Sequence, residues 1–222
     1  DKLMAYYADP QVGGVCGSLR YRGEDKSATA AVGSLYWRLE EYLKKEESRT
    51  GNVMGADGSI FSLRRPLYPT FPDTVLDDLT VSMAAVFAGK RLIKAEDVIA
   101  YEGLVAKRGE EFARKVRIAA RAFHTHMFLS PSLARMAGAD KFKYGSRKMV
   151  RWFGGAFLII GCVAAAVAAV LISPLLLTTF AALATAFIWL GVRAQRGPLA
   201  SIMEIIIELM KTQKGVFRAM RG

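Results

Sequence analysis

The sequence predicts an α/β domain followed by a transmembrane helical hairpin and an amphipathic interfacial helix. Three observations lead there. Short strand-like apolar runs alternate with helical patterns through the first half. Residues 152–192 contain no Asp, Glu, Lys or Arg. The segment that follows carries its polar side chains on one helical stripe. A composition of 23% charged and 10% aromatic residues excludes a disordered chain. The uncharged block, with a mean hydropathy of +0.21 over the chain, excludes a purely soluble one.

The α/β reading builds up in order. Residues 12–19 form an apolar run between Asp9-Pro10 and Arg20, a buried strand in which Gly13, Gly14 and Gly17 suggest close backbone approach. Residues 27–47 are helical, with Ala28, Ala31, Val32, Leu35, Leu39 and Tyr42 on one face. Glu40–Lys44 and Glu41–Lys45 are i,i+4 pairs in the favourable order, and Gly51 ends the segment. Gly55-Ala56-Asp57-Gly58 is a turn leading into a strand at 59–63, and Pro66, Pro69 and Pro72 mark a loop. A helix begins near Asp77-Asp78, with Leu79, Met83, Val86 and Phe87 inward and Gly89 just past its end. Residues 91–95 and 98–101 read as two short strands. A further helix covers roughly 110–127. Phe112, Val116, Ala119, Ala120, Phe123 and Met127 line one of its faces, and Arg114, Arg117 and Arg121 the other.

The net charge of +11 is unevenly placed. Residues 1–106 are nearly neutral, whereas 107–151 carry 12 Lys and Arg against 3 Asp and Glu. A nucleic-acid binder would carry the excess on its soluble part; Lys and Arg beside spans mark the cytoplasmic side instead. Residues 152–172 would reach about 31 Å as a helix and 175–192 about 27 Å, both enough for a hydrocarbon core of roughly 30 Å. Ser173-Pro174 breaks the run. Arg147, Lys148 and Arg151 before it, and Arg193 and Arg196 after it, place both flanks and the α/β domain in the cytoplasm. In residues 199–210, Ser201, Glu204, Glu208 and Lys211 share one stripe, which suits a helix lying in the interface better than a third span. Four segments result: an α/β region at 1–106, a basic membrane-surface region at 107–151, the hairpin at 152–192, and an amphipathic basic segment at 193–222. Cys16 and Cys162 read as free thiols. No signal peptide is visible, and the opening at Asp1 reads as a cut through a larger protein.

Few residues suggest chemistry on their own. Asp77-Asp78 before an apolar helix reads as an N-cap, and equally as a general base held at a helix N-terminus. Gly55-Ala56-Asp57-Gly58 is either an ordinary turn or a place where backbone approaches a ligand; it is not a phosphate-binding P-loop, which needs Gly-Lys-Ser/Thr. Arg114, Arg117 and Arg121 form a solvated or lipid-facing surface, or a diphosphate site. His124 and His126 do not share a helical face and have no third ligand nearby, so no metal site is expected.

The order of these elements resembles the C-terminal half of a membrane-bound family 2 glycosyltransferase, the class of cellulose, chitin and hyaluronan synthases. The segment from Asp9-Pro10-Gln11-Val12-Gly13-Gly14-Val15 through Gly17 resembles the stretch after that family's metal-binding Asp-x-Asp. Gly55-Ala56-Asp57-Gly58, followed by Arg64, resembles its acceptor-site turn. Leu76-Asp77-Asp78-Leu79 resembles its acidic pair, and this gives Asp78 the role of catalytic base beside Asp77. Arg114-Lys115-Val116-Arg117-Ile118 stands where the family has Gln-x-x-Arg-Trp; only Arg117 matches, Arg114 replacing Gln and Ile118 replacing Trp. The resemblance implies the acceptor half of a GT-A-type, inverting glycosyltransferase at the cytoplasmic membrane face. Gly55, Ala56, Asp57 and Gly58 would border the acceptor, and Arg117 with Arg114 would hold the donor diphosphate. It also implies a nucleotide-sugar donor, a saccharide or lipid-linked acceptor, membrane lipid as a partner, and a divalent metal, Mg or Mn. No Asp-x-Asp occurs in this sequence, so the metal and nucleotide ligands are expected upstream of Asp1, and the chain by itself is expected to be inactive. A polyprenyl-phosphate glycosyltransferase and a non-catalytic membrane scaffold retaining the fold are the alternatives.

Overall fold

The computed structural model describes residues 2–22, 28–103, 108–193 and 198–221. In chain order the elements are α1 (Lys2–Ala5), β1 (Val12–Arg22), α2 (Ala28–Arg49), β2 (Phe61–Leu63), α3 (Asp77–Phe87), β3 (Arg91–Gly103), α4 (Arg108–Leu133), α5 (Gly138–Tyr144), α6 (Val150–Ile172), α7 (Pro174–Arg193) and α8 (Pro198–Arg221). A π-helical turn, Gly145–Met149, joins α5 to α6. The architecture is mixed α/β, with a small sheet in a mostly helical molecule.

The sheet has the order β2-β1-β3, with β1 antiparallel to β2 and parallel to β3. The two short strands expected at 91–95 and 98–101 are one strand, β3. Its register against β1 shifts between Cys16 and Ser18, where the sequence pattern breaks. Gly17 lies at that irregularity, and a Cβ there would meet the Val98 carbonyl oxygen at 2.7 Å. Cys16, Val53, Met54, Met83 and Leu92 make the core between the sheet and α3, while Val12, Val15 and Ala95 form a second cluster with Leu3 and Tyr6.

Two helices turn the opposite way from their apolar patterns. In α2, Leu39 and Tyr42 are 54% and 59% exposed, while Lys44 is 1% exposed and Glu40 and Glu47 are buried. Over residues 37–49 the inward face is thus the charged one; the side chains of Ala28, Ala31, Val32 and Leu35 lie outside the described residues. The expected i,i+4 pairs give way to tertiary partners: Glu41 pairs with Lys94 and Lys45 with Glu96, and Lys44 and Glu40 reach still further, as described below. In α8, Lys211, Gln213, Gly215 and Val216 are buried, while Ile202, Ile205, Met210, Phe217 and Met220 are exposed. Lys211 bonds Glu208 at 2.8 Å; the side chains of Ser201 and Glu204 lie outside the described residues.

Helix α4 continues past residue 127 to Leu133 and buries Val116, Ala119, Ala122, Thr125, Leu129 and Leu133; Met127, expected inward, is exposed. Pro131 cannot donate to the Met127 carbonyl, and Ser130 Oγ donates to it instead at 2.8 Å. Helix α8 packs against α4, α6 and α7. Gly215 makes the first contact possible, because a Cβ there would stand 2.6 Å from both Ala119 Cβ and the Val116 carbonyl. Against α6, Gln213 Oε1 accepts the Ala156 N–H at 2.9 Å, an interhelical polar bond in an otherwise apolar contact.

Among the described residues one helix, Gly138–Ile172, is long and apolar enough to cross a membrane; the apolar run of α7, Leu175–Gly191, is shorter. The residues of Gly138–Ile172 before 152 include Lys141, Lys143, Arg147, Lys148 and Arg151, so its apolar part is 152–172.

The close α4–α8 contact yields a test. Gly215→Leu overpacks it and should destabilise the detergent-solubilised chain by about 1–3 kcal/mol, read as a lowered thermal midpoint. Gly138→Leu, where an added Cβ meets nothing within 4 Å, should leave the midpoint unchanged.

Candidate functional site

The site is built on the turn between α2 and β2. Its backbone donors are satisfied by three different elements. Val53 N–H bonds the Leu92 carbonyl at 2.9 Å, Met54 N–H bonds Glu47 Oε2 at 3.0 Å, and Ala56 N–H bonds Ser82 Oγ at 3.0 Å. A buried segment must place its polar groups in this way, and here doing so fixes the turn to β3, α2 and α3 together. Gly55 has φ +101°, in the left-handed region that favours glycine. A Cβ on it would lie 2.6 Å from Leu79 Cδ1.

Asp78 stands at the start of α3, facing this turn. Its Cβ and Oδ2 are each 3.7 Å from where a Cβ on Gly58 would sit. The N-cap residue is Leu76, not an aspartate, and Asp77 and Asp78 fall in the first turn. Thr125 Oγ1 of α4 takes the Leu76 N–H at 2.7 Å, tying α3 to α4. Asp78 still serves the helix end, since its Oδ1 accepts the Leu79 N–H at 2.7 Å. Burial pushes the Asp78 carboxyl above the usual aspartate value. The Leu79 N–H and Lys148 oppose that rise, and Asp77 and Asp57 add to it. Asp77 is exposed.

Beneath the turn lies a cluster of charges. Lys44 pairs with Asp57. Arg147 spans Glu40 and Glu47, and Arg151 lies 3.7 Å from Glu40. Burial alone would raise Glu40, but Arg147, then Arg151, Lys148 and Lys44, outweigh it and hold the carboxyl at about 2. Lys148 Nζ is 3.5 Å from a Cβ placed on Gly55. Burial, reinforced by Arg151 and Arg147, brings Lys148 down to about 7. This corrects one expectation: Arg147 and Lys148, read as a flank facing the membrane surface, turn into the domain. The physical reason is the charged inner face of α2, which needs cations. Lys143 also turns inward, to the Thr50 carbonyl at 3.1 Å.

The structure thus gathers Gly55, Ala56, Asp57, Gly58 and Asp78. It does not gather the arginines with them. Arg117 is exposed on α4, and no contact among the described residues ties it to the turn. The Arg114 side chain lies outside the described residues. Arg121 Nη2 holds the loop before α3, donating to the Asp73 and Val75 carbonyls at 3.0 and 2.5 Å. Sequence reading missed Glu40, Lys44, Glu47, Arg147 and Lys148. The first three recur at i, i+4 and i+7 on one helical face, a signal that was present; nothing in the sequence tied it to residues a hundred positions away.

No cluster of three His, Cys, Asp or Glu side chains among the described residues could hold a metal ion, so these residues do not fit a divalent-metal site. A cavity of about 420 Å³ lies elsewhere, lined by residues including His126, Ser130, Met136 and Tyr144.

No protein-family model matches the sequence, and no curated protein matches it. Among solved structures the chain is similar to the mannosyltransferase PcManGT from Pyrobaculum calidifontis in complex with GDP-Man and Mn2+, with a TM-score of 0.65 and 20% identity. The chain has a glycosyltransferase fold. The likeness covers 97% of this chain and 56% of that one, so the chain spans little more than half the length of the mannosyltransferase.

The charge cluster predicts how stability depends on pH. Glu40 is held below its unfolded value near 4.5, so the stability it contributes is present above that pH and is lost as pH falls toward about 2. Arg147→Met leaves two buried carboxylates without their main partner and should cost about 3–5 kcal/mol near neutrality. It should also shrink the loss of stability between pH 5 and pH 3. Thermal melts of both proteins across that range check both effects.

Proposed function

We propose that this chain is the acceptor-side part of an inverting, GT-A-type, family 2 glycosyltransferase that draws on a nucleotide-sugar donor at the cytoplasmic face of a membrane. The observation that supports this best is the placement of Asp78: a half-buried carboxylate with a raised pKa, set against the glycine turn in a chain of glycosyltransferase fold. In this reading an acceptor hydroxyl enters beside Gly55–Gly58 and gives its proton to Asp78. The freed oxygen forms a bond to the anomeric carbon from the face opposite the diphosphate. The bond to the diphosphate breaks and the leaving group takes its electron pair. A carboxylate whose pKa is raised is a better proton acceptor than an ordinary aspartate. Arg117 lies one helical turn before the loop-binding Arg121, and we assign it with Arg114 to the leaving diphosphate. The divalent metal, Mg or Mn, is assigned to ligands outside this chain, and no step runs through it.

The same reading places 152–172 and α7 across the bilayer as a hairpin, with α8 at its surface. Supporting this, the large apolar side chains of these helices point outward: Ile160, Leu171 and Leu175 on the first two, and Ile202, Ile205 and Met210 on α8. That outward apolar surface also favours a lipid-linked acceptor as the second reading over a free saccharide.

Asp78→Asn tests the assignment in a protein that includes the donor-binding region. Asn keeps an oxygen for the Leu79 N–H, so the thermal midpoint should hold within the ~1 kcal/mol of a lost cap. Single-turnover sugar transfer should fall by about 10²–10⁴-fold, and Asp77→Asn should cost much less. In the parent protein, transfer should decline as pH falls through a value above that of an ordinary aspartate. Near-normal transfer by Asp78→Asn would falsify the role of base.

The topology is tested separately. With Lys141→Cys and Lys214→Cys introduced singly into sealed vesicles, an impermeant maleimide should label both from the same side; labelling from opposite sides means a single span.

A further inference from the structure

Four cations converge beneath the Gly55–Gly58 turn, and three have carboxylate partners: Lys44 with Asp57, Arg147 with Glu40 and Glu47, and Arg151 with Glu40. Lys148 is the fourth. It is half-buried, and among the described residues no hydrogen bond or ion pair engages its Nζ. It projects from the π-helical turn Gly145–Met149, a local distortion that recurs at functional sites. Its Nζ lies 3.5 Å from a Cβ placed on Gly55, and Asp78 Oδ2 lies 3.7 Å from a Cβ placed on Gly58. The turn therefore has a cation against one glycine and a carboxylate against the other, with no side chain of its own at either point.

We propose that Lys148 Nζ binds an oxyanion carried by the acceptor, a phosphate ester or a sugar carboxylate, next to the hydroxyl that Asp78 deprotonates. The proposal rests on the reading of this turn as the acceptor site. A partly desolvated ammonium without a partner is costly, and an incoming anion offsets that cost with a charge-assisted hydrogen bond. A neutral sugar hydroxyl would leave the charge uncompensated, and Asp57 and Asp78 already supply acceptors for hydroxyl groups. The charges acting on Lys148 are Arg151 and Arg147 from its own helix and Glu40 and Lys44 from α2; Asp78 faces it from α3. Because Lys148 gains its proton near pH 7, an anion that needs the ammonium binds best below that pH and releases as pH rises.

The test uses the 222-residue chain in nanodiscs of zwitterionic lipid at constant low ionic strength. Sulfate is the first probe, since its charge does not change between pH 6 and pH 9. Calorimetry should show sulfate binding at pH 6 and binding at least about tenfold weaker at pH 9. Lys148→Met should abolish it, Lys148→Arg should retain it at both pH values, and the exposed-lysine control Lys141→Gln should leave it unchanged. Thermal melts accompany each variant, and Lys148→Arg keeps the test decisive if Lys148→Met does not fold. Methyl phosphate and glucuronate then separate the two sources of the oxyanion: the tighter of them names the acceptor class. Sulfate binding that is independent of pH, that survives Lys148→Met, or that Lys148→Arg loses overturns the proposal, as does binding of neither organic anion. Asp78→Asn should keep sulfate binding, so failure of the anion subsite and failure of Asp78 as base are read by different measurements.

Discussion

Arg147 bridging Glu40 and Glu47 is the contact on which the rest of the site depends. The two carboxylates lie on the inner face of α2, and neither could stay there uncompensated: an isolated buried charge is strongly disfavoured. The guanidinium suits the task because its planar fork offers several donors at once. Glu47 then uses the same Oε2 to accept the Met54 N–H. One side chain from the turn that opens into α6 thereby fixes both α2 and the backbone of the candidate acceptor turn. Breaking a buried pair of this kind costs far more than making it contributes. The arrangement is therefore better understood as enforcing one geometry than as adding stability.

That geometry joins two parts of the chain with different solvents. The π-helical turn runs directly into the apolar helix, so the residues that hold the turn are continuous with the segment assigned to the membrane. Helix α8 repeats the same logic. Its polar residues Lys211 and Gln213 face inward, while Ile202, Ile205, Met210, Phe217 and Met220 are exposed together with Lys214, Arg218 and Arg221. Gly215 lets α8 come close to α4, and Gly155 of α6 lets it come close enough to α6 for Gln213 to reach the Ala156 N–H. Helix α4 in turn holds the start of α3 through Thr125 and Arg121, and α3 carries Asp78. A chain of packed contacts thus runs from the apolar helices to the carboxylate assigned to the chemistry.

Much of the fold was legible in the sequence because it rests on local signals. Gly89 has φ +70° just past α3, as its position promised. What was not legible was tertiary. Leu39 and Tyr42 follow the apolar period of α2, yet they point outward, because Glu40, Lys44 and Glu47 find partners on elements far along the chain. Arg147 and Lys148 look like the basic flank of a span in any one-dimensional reading. Only the fold shows that both turn into the domain and that Arg147 pairs with the buried carboxylates of α2. The aspartates were expected to cap α3; Leu76 takes the cap position instead, and Thr125 binds its N–H from α4. The role proposed for Asp78 came from the order of motifs, and neither spacing nor charge alone singles it out.

The account stands or falls on whether the Arg147 bridge holds the acceptor turn in place. Hydrogen exchange of the Met54 and Ala56 amides, bonded to Glu47 and Ser82, measures this directly. In the parent chain both should exchange slowly, like the sheet amides of β1. In Arg147→Lys, which keeps the charge but loses the two-sided fork, Met54 should exchange much faster, Ala56 should follow, and the β1 amides should be unaffected. Unchanged protection at Met54 in that variant, with the fold intact, would contradict the claim that this one side chain organises the site.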